Sequence, residues 1–220
     1  MKKNGKKELF TGCILLGGFI IWTWLIQVVD VQRIGVNGTA VGFAGFNNWF
    51  HKLTGVHMTL YTITDWLGLV PIVICLIFGG IGLFQMVKRK GFGKVDIDIR
   101  ILGVYYVAVI FGYLIFEMIP INYRPILIQG MMEASYPSST TLLVLGVMPT
   151  LVFQVNRRVK SAVFKKVIVV ISIMFSCFMV IGRMVCGVHW FTDIVGAIFL
   201  SFGIFHFYKS VVLLYDKEEN

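Results

Sequence analysis

Six long apolar stretches of the chain are nearly free of charged residues, and polar or basic segments separate them. A transmembrane helix needs about 20 consecutive, predominantly apolar residues, a length that these stretches reach once flanking residues are added. We therefore predict spans at about 9–29, 66–87, 101–119, 139–155, 167–186 and 192–214. The whole chain, residues 1–220, then forms one all-α integral membrane domain, a six-transmembrane-helix bundle.

The segment between the first two spans, residues 30–65, mixes polar residues with the aromatic residues Phe43, Phe46, Trp49 and Phe50. Aromatic side chains are enriched where a membrane meets water, so we expect an interfacial loop or helix between spans 1 and 2. The first apolar run is not followed by an A-x-A-like cleavage site, which favours a spanning helix over a cleavable signal peptide.

The composition is typical of a membrane protein, and the distribution of Lys and Arg residues along the chain predicts its orientation. Hydrophobic residues make up 57% of the 220 positions, mean hydropathy is +0.83, and only 14% are charged, whereas a soluble domain carries about a quarter. The net charge is +9, and 16 of the 20 Lys and Arg residues fall on the side that holds both termini. The positive-inside rule predicts a multi-pass protein of the cytoplasmic membrane with both termini in the cytoplasm. Because the basic residues are spread over helix ends, we expect no nucleic-acid partner.

A small set of polar residues falls on the opposite, outer side. Ionisable groups near membrane depth are costly and usually functional, so their convergence predicts a site that faces outward. The set comprises Glu117, Arg124, Ser138, Ser139, Thr140, Arg183, His189 and Asp193.

The spacing of these residues resembles the type 2 phosphatidic acid phosphatase superfamily of lipid phosphate phosphatases. That family has three motifs: Lys-x6-Arg-Pro, Pro-Ser-Gly-His and Ser-Arg-x5-His-x3-Asp. The third is matched by Arg183, His189 and Asp193, with Gly182 in place of Ser. The first keeps Arg124-Pro125 with Glu117 in place of Lys, and the second keeps Pro137-Ser138 with Ser139 and Thr140 in place of Gly and His. The resemblance implies a metal-independent mechanism without a cofactor.

Phosphoryl transfer needs neutralisation of the phosphoryl oxygens and an in-line nucleophile. Arg124 and Arg183 can bind phosphate in bidentate fashion, and Ser138, with the first amides of span 4, offers a helix N-terminus that binds anions. By the resemblance, His189 is the nucleophile that forms a phospho-histidine. Asp193 would accept the other ring N–H and fix the tautomer.

The replaced residues change the expected substrate. Thr140 is a very weak acid and protonates a leaving alkoxide poorly, whereas a pyrophosphate has a far better leaving group. We therefore expect a lipid pyrophosphate, such as undecaprenyl pyrophosphate, to be preferred over a phosphate monoester such as phosphatidic acid. Glu117 is either a general acid with a raised pKa or a charge partner of Arg124 or Arg183.

Two other functions remain open from the sequence. Loss of the family Lys and His favours a catalytically impaired relative that binds or moves a lipid phosphate without hydrolysing it. A small transporter is less well supported, because no pair of broken helices is evident. The predicted partners are the lipid phosphate or pyrophosphate and the bilayer, and the sequence leaves the oligomeric state open.

Overall fold

The computed structural model describes residues 2–215, which form helices joined mostly by short connections, with longer ones at 29–43 and 119–138. The helices are α1 (Lys2–Val28), α2 (Ala44–Thr54), α3 (Met58–Leu67), α4 (Leu69–Lys88), α5 (Ile97–Met118), α6 (Ser139–Arg158), α7 (Ala162–Val185) and α8 (Phe191–Tyr215). Among the described residues, six helical stretches are long and apolar enough to cross a membrane, with α3 and α4 together forming one of them. The predicted all-α, six-span architecture is confirmed, and α2 lies between spans 1 and 2 with Phe46 and Trp49 exposed.

The helix that contains the second predicted span begins at Met58, before the predicted start of the span at residue 66. The helical path continues from α3 into α4 through Gly68, whose φ of −59° and ψ of −17° are right-handed helical values. Asp65 does not end the helix, because its Oδ1 atom faces Arg183 Nη1 at 3.7 Å. A cationic partner lowers the cost of placing a charged residue in such a helix. The helix therefore extends beyond the charge-free run that was used to predict the span.

Helix α6 lies at the centre of the bundle, packed against α7, α8, α5 and α4. Its mean hydropathy of 1.4 is the lowest of the six spans, and its buried polar side chains explain this value. Thr150 and Tyr106 share a hydrogen bond of 2.8 Å, and Gln154 Nε2 donates to Tyr208 Oη at 2.8 Å. These polar groups are tolerated inside the bundle because each has a partner.

Helices α1 and α8 pack closely along their lengths. A Cβ atom at Gly203 would lie 2.7 Å from Leu16 Cδ2, so the close approach requires glycine there. Polar contacts add to the packing: Ser210 Oγ donates to Gly5 O at 2.8 Å, and Lys209 Nζ lies 2.7 Å from Glu8 Oε1.

Ion pairs at the end of α6 link the two basic connections of the chain, the one between α4 and α5 and the one between α6 and α7. Arg158 Nη2 donates to both carboxylate oxygens of Asp98, at 2.6 and 2.8 Å, and Arg158 Nη1 lies 3.0 Å from Asp96. Asp96 also pairs with Arg89 at 2.7 Å. This network gathers the basic loops at one end of the bundle, and the other end of α6, at Ser139, is left for the site.

Candidate active site

The start of α6 forms the floor of the site. Ser138 is its N-cap residue, and Ser139 and Thr140 open the first turn. The Ser138 N–H donates to Asp193 O at 3.2 Å, which ties the start of α6 to the start of α8. Ser138 is fully buried, and within residues 2–215 its hydroxyl has no hydrogen-bond partner. The first amides of a helix lack intrahelical acceptors, so this floor offers donors to an anion.

The connection from α7 to α8 brings in three further residues. Arg183 lies in the last turn of α7, His189 in the connection, and Asp193 in the first turn of α8. The turn depends on Gly187, whose φ of +75° is in the left-handed region, and whose missing side chain admits the backbone of Gly55.

The imidazole of His189 is buried and held at both ring nitrogens. Nδ1 lies 3.1 Å from the carbonyl oxygen of Ser135, so the ring proton belongs on Nδ1 and is donated there. Nε2 then accepts from Arg183 Nη2 at 3.3 Å. Burial, followed by the positive charges of Arg183 and Arg124, lowers the pKa of His189 well below its usual 6.5. The ring is therefore neutral near pH 7, with its Nε2 lone pair turned towards the arginines.

Asp193 contributes differently from the sequence-based expectation. Its Oδ2 lies 3.8 Å from His189 Nδ1, beyond hydrogen-bond distance, because the Ser135 carbonyl takes that ring N–H. The carboxylate instead accepts from the backbone N–H of Trp190 at 2.9 Å and from Asn122 Nδ2 at 3.2 Å. Asp193 thus fixes the backbone that carries His189.

The two arginines meet at one aromatic ring. The guanidinium carbon of Arg183 lies 4.8 Å from the centroid of Tyr61, and that of Arg124 lies 5.7 Å from it. Arg183 pairs with Asp65, and Arg124 Nε lies 3.1 Å from Glu133 Oε2. Within residues 2–215, Arg124 Nη1 and Arg183 Nε are buried without a hydrogen-bond partner. These unused N–H groups are suited to bind the oxygens of a phosphate.

Glu117 stays exposed, and it lines a small cleft together with Ser139 and His189. The ion-pair partners of the two arginines are Asp65 and Glu133, where the sequence offered Glu117 as a candidate. Within residues 2–215, no three His, Cys, Asp or Glu side chains are grouped closely enough to hold a metal ion.

An apolar cavity of about 420 Å³ opens beside the site, between α4, α5 and α6. Asp65, Ser139 and Thr140 form its polar end, and aliphatic and aromatic side chains such as Ile72, Val109 and Leu143 line the rest. A polar group at the mouth of an apolar cavity fits an amphiphilic molecule.

A family model for the PAP2 superfamily matches residues 101–215, which include Arg124, the start of α6 and the Arg183–Asp193 segment. The chain belongs to the PAP2 superfamily. Membership supports a phosphatase-type hydrolase, and with six apolar spans the protein is a multi-pass membrane member of this superfamily.

A solved structure extends the PAP2 likeness from these residues to nearly the whole chain. The crystal structure of a transmembrane PAP2-type phosphatidylglycerolphosphate phosphatase from Bacillus subtilis is similar with a TM-score of 0.61 and 17% identity, covering 94% of this chain and 98% of that one. The likeness shows that the fold is shared. No curated protein matches the sequence.

Five residues of this candidate site were absent from the sequence-based set: Tyr61, Asp65, Asn122, Glu133 and Ser135. Asp65 carried the clearest signal, since it is a charged residue at the edge of an apolar run. Ser135 acts through its backbone carbonyl, which no side-chain pattern reveals.

Proposed function

We propose that the protein is a membrane lipid phosphate or pyrophosphate phosphatase that works through a phospho-histidine intermediate. The observation that carries the proposal is the neutral, buried His189, whose Nε2 atom faces Arg183 while Nδ1 is held by Ser135. A neutral imidazole with one fixed N–H is the form that acts as a nucleophile.

The contacts support an order of events. The phosphate oxygens take the N–H groups of Arg124, Arg183 and the start of α6, which releases the Nε2 lone pair from Arg183. His189 Nε2 then attacks phosphorus, the N–P bond forms, and the bond to the lipid oxygen breaks. The buried guanidinium groups stabilise the charge on the equatorial oxygens, and the ring carries a positive charge until water cleaves the N–P bond.

The apolar cavity beside the site supports a lipid substrate, since its polar end holds Thr140 and its walls suit a hydrocarbon tail. Because Thr140 replaces the family's histidine, a leaving group that needs no proton is favoured. We therefore propose a preference for a lipid pyrophosphate, undecaprenyl pyrophosphate being the candidate, over a phospholipid phosphate such as phosphatidic acid.

The charge distribution supports an active site on the outer face of the cytoplasmic membrane, with both termini in the cytoplasm. The basic loops gather at the Arg158 end of α6, opposite the site. In intact cells, a membrane-impermeant thiol reagent should therefore label a Lys52→Cys variant and spare a Lys94→Cys variant, both in a background without other cysteines. The reverse labelling would overturn this orientation.

The experiment that tests the function is phosphate release by the purified protein from lipid pyrophosphate and from phosphatidic acid. His189→Ala should abolish release, whereas His57→Ala, which changes an exposed histidine bonded to Thr54 O, should keep it. Equal activity of wild type and His189→Ala would overturn the mechanism, and faster turnover of phosphatidic acid would overturn the proposed preference.

The replaced family residues favour one alternative, a member that binds or moves a lipid phosphate without hydrolysing it. Glu117 places a carboxylate in the cleft that His189 lines, where the family has a lysine. Saturable lipid phosphate binding that needs Arg124 and Arg183, with no phosphate released from any lipid, would establish this alternative.

A further inference from the structure

The proposed reaction leaves one chemical task without a residue. After the phospho-histidine forms, a water molecule must attack phosphorus from the side that the leaving group vacated, and a base must take its proton. In this chain Thr140 stands where the family's second-motif histidine would be. A threonine hydroxyl is a poor base, so another group is required on that side.

Asp65 is placed for this task, because it contacts the same arginine as the nucleophile. One terminal nitrogen of the guanidinium, Nη2, lies 3.3 Å from His189 Nε2, and the other, Nη1, lies 3.7 Å from Asp65 Oδ1. A phosphate bound by this guanidinium would therefore lie near both the His189 imidazole and the Asp65 carboxylate.

The cavity places Asp65 on the leaving-group side. Asp65, Ser139 and Thr140 form the polar end of the 420 Å³ cavity that suits the lipid. The carboxylates of the predicted site are Glu117 and Asp193. Glu117 shares its cleft with His189 and therefore lies on the nucleophile's side. Asp193 is fully buried, and its carboxylate already accepts from Trp190 N–H and Asn122 Nδ2.

Exposure separates Asp65 from the remaining acidic neighbour. The Asp65 side chain is 58% exposed, so water reaches it and a proton leaves it without crossing the bundle. Glu133 is 33% exposed, pairs with Arg124 Nε and also accepts the Arg124 N–H at its backbone carbonyl, which indicates a structural partner of that arginine.

Building on the proposed function, we infer that Asp65 is the catalytic base for hydrolysis of the phospho-histidine. The water oxygen bonds to phosphorus, and the P–N bond electrons return to Nε2, which restores the neutral ring with its proton on Nδ1. The water proton passes to the Asp65 carboxylate and then to solvent. Atoms and charge balance without a metal or other co-reactant.

The test uses purified full-length protein and a prenyl pyrophosphate radiolabelled in its distal phosphate. Asp65→Asn should lower steady-state turnover about 100-fold or more. It should still release one equivalent of prenyl phosphate in a burst, and leave the label on the protein in an alkali-stable, acid-labile form. Asp65→Glu keeps a carboxylate and should recover part of the turnover with less label retained.

Glu133→Gln is the matched control, because it removes the carboxylate that pairs with the other arginine. If Asp65 serves Arg183 only as a charge partner, Asp65→Asn and Glu133→Gln should both change KM. Neither variant should then retain the label on the protein. Loss of turnover in Asp65→Asn without trapped label, or turnover within threefold of wild type, would overturn the assignment.

Failure of the proposed function gives a different result. In that case wild type releases no phosphate, or His189→Ala matches wild type, whatever Asp65 does. If the function holds, Asp65→Asn/His189→Ala should trap no label. Equal thermal unfolding midpoints for wild type and the Asp65 variants establish that the comparison is made on folded protein.

Discussion

Gly187 is the residue on which the position of His189 depends most directly, and alanine in its place should destabilise the protein strongly. Its φ is +75°, and a Cβ atom there would lie 2.1 Å from the carbonyl oxygen of Gly55. The left-handed conformation costs an L residue about 1–2 kcal/mol, and overpacking costs typically about 1–3 kcal/mol. We therefore expect Gly187→Ala to lower the free energy of unfolding by about 2–5 kcal/mol.

Alanine substitutions at two other glycines allow the conformational cost and the steric cost to be measured separately. Gly130 has φ +79°, and a Cβ atom added there would meet nothing within 4 Å, so Gly130→Ala should lose only the conformational part, about 1–2 kcal/mol. Gly103 lies inside α5, also with nothing within 4 Å, and Gly103→Ala should be neutral or stabilising by up to about 1 kcal/mol.

The assay is unfolding of the purified variants in the same detergent, followed by helix content. The expected order of stability is Gly103→Ala at or above wild type, then Gly130→Ala, then Gly187→Ala. The folded fraction of Gly187→Ala should also lose phosphate release, because the turn that carries His189 must shift. Equal unfolding free energies for Gly187→Ala and Gly130→Ala would refute the argument, since the Gly55 contact would then cost nothing.

Three further predictions concern the site. Because burial and the two arginines lower the pKa of His189, activity should stay level as the pH falls through 6.5; an inflection of kcat/KM near 6.5 would contradict this. Below that value only the unfolded chain gains the histidine proton, so stability should decrease as the pH falls further. Tyr61→Leu should raise KM about tenfold through loss of two cation–π contacts worth about 0.5–2 kcal/mol each, whereas Tyr61→Phe keeps the ring and should stay within a few-fold of wild type. Asn122→Ala should lower the free energy of unfolding by about 1.5–3 kcal/mol, because the buried Asp193 carboxylate loses a hydrogen bond; an unchanged unfolding midpoint would disprove this.

The pattern of apolar runs was sufficient to predict the six spans, because a bilayer excludes unpaired charge and requires long uncharged helices. It did not reveal that the helix of the second span extends back to Met58 and includes Asp65, which faces Arg183. No local pattern reveals a partner that lies more than a hundred positions further along the chain.

The candidate site also has a part that the sequence predicted and a part that only the structure shows. Arg183, His189 and Asp193 lie close together in sequence, so their spacing carries the resemblance to the PAP2 superfamily and was readable at once. The hydrogen bonds of these residues could not be predicted from the spacing, because the Ser135 carbonyl, rather than Asp193, accepts the His189 ring N–H.

The sequence by itself determined the membrane class, the number of spans and the family, and it predicted which residues bind phosphate. Only the tertiary structure decided which groups complete the site. The packing of α3 against α7 brings Tyr61 and Asp65 to Arg183, and the centroid of the Tyr61 ring also lies 5.7 Å from the guanidinium carbon of Arg124. The physical reason is that span formation depends on local apolar content, whereas ion pairs and ring contacts depend on how distant helices pack.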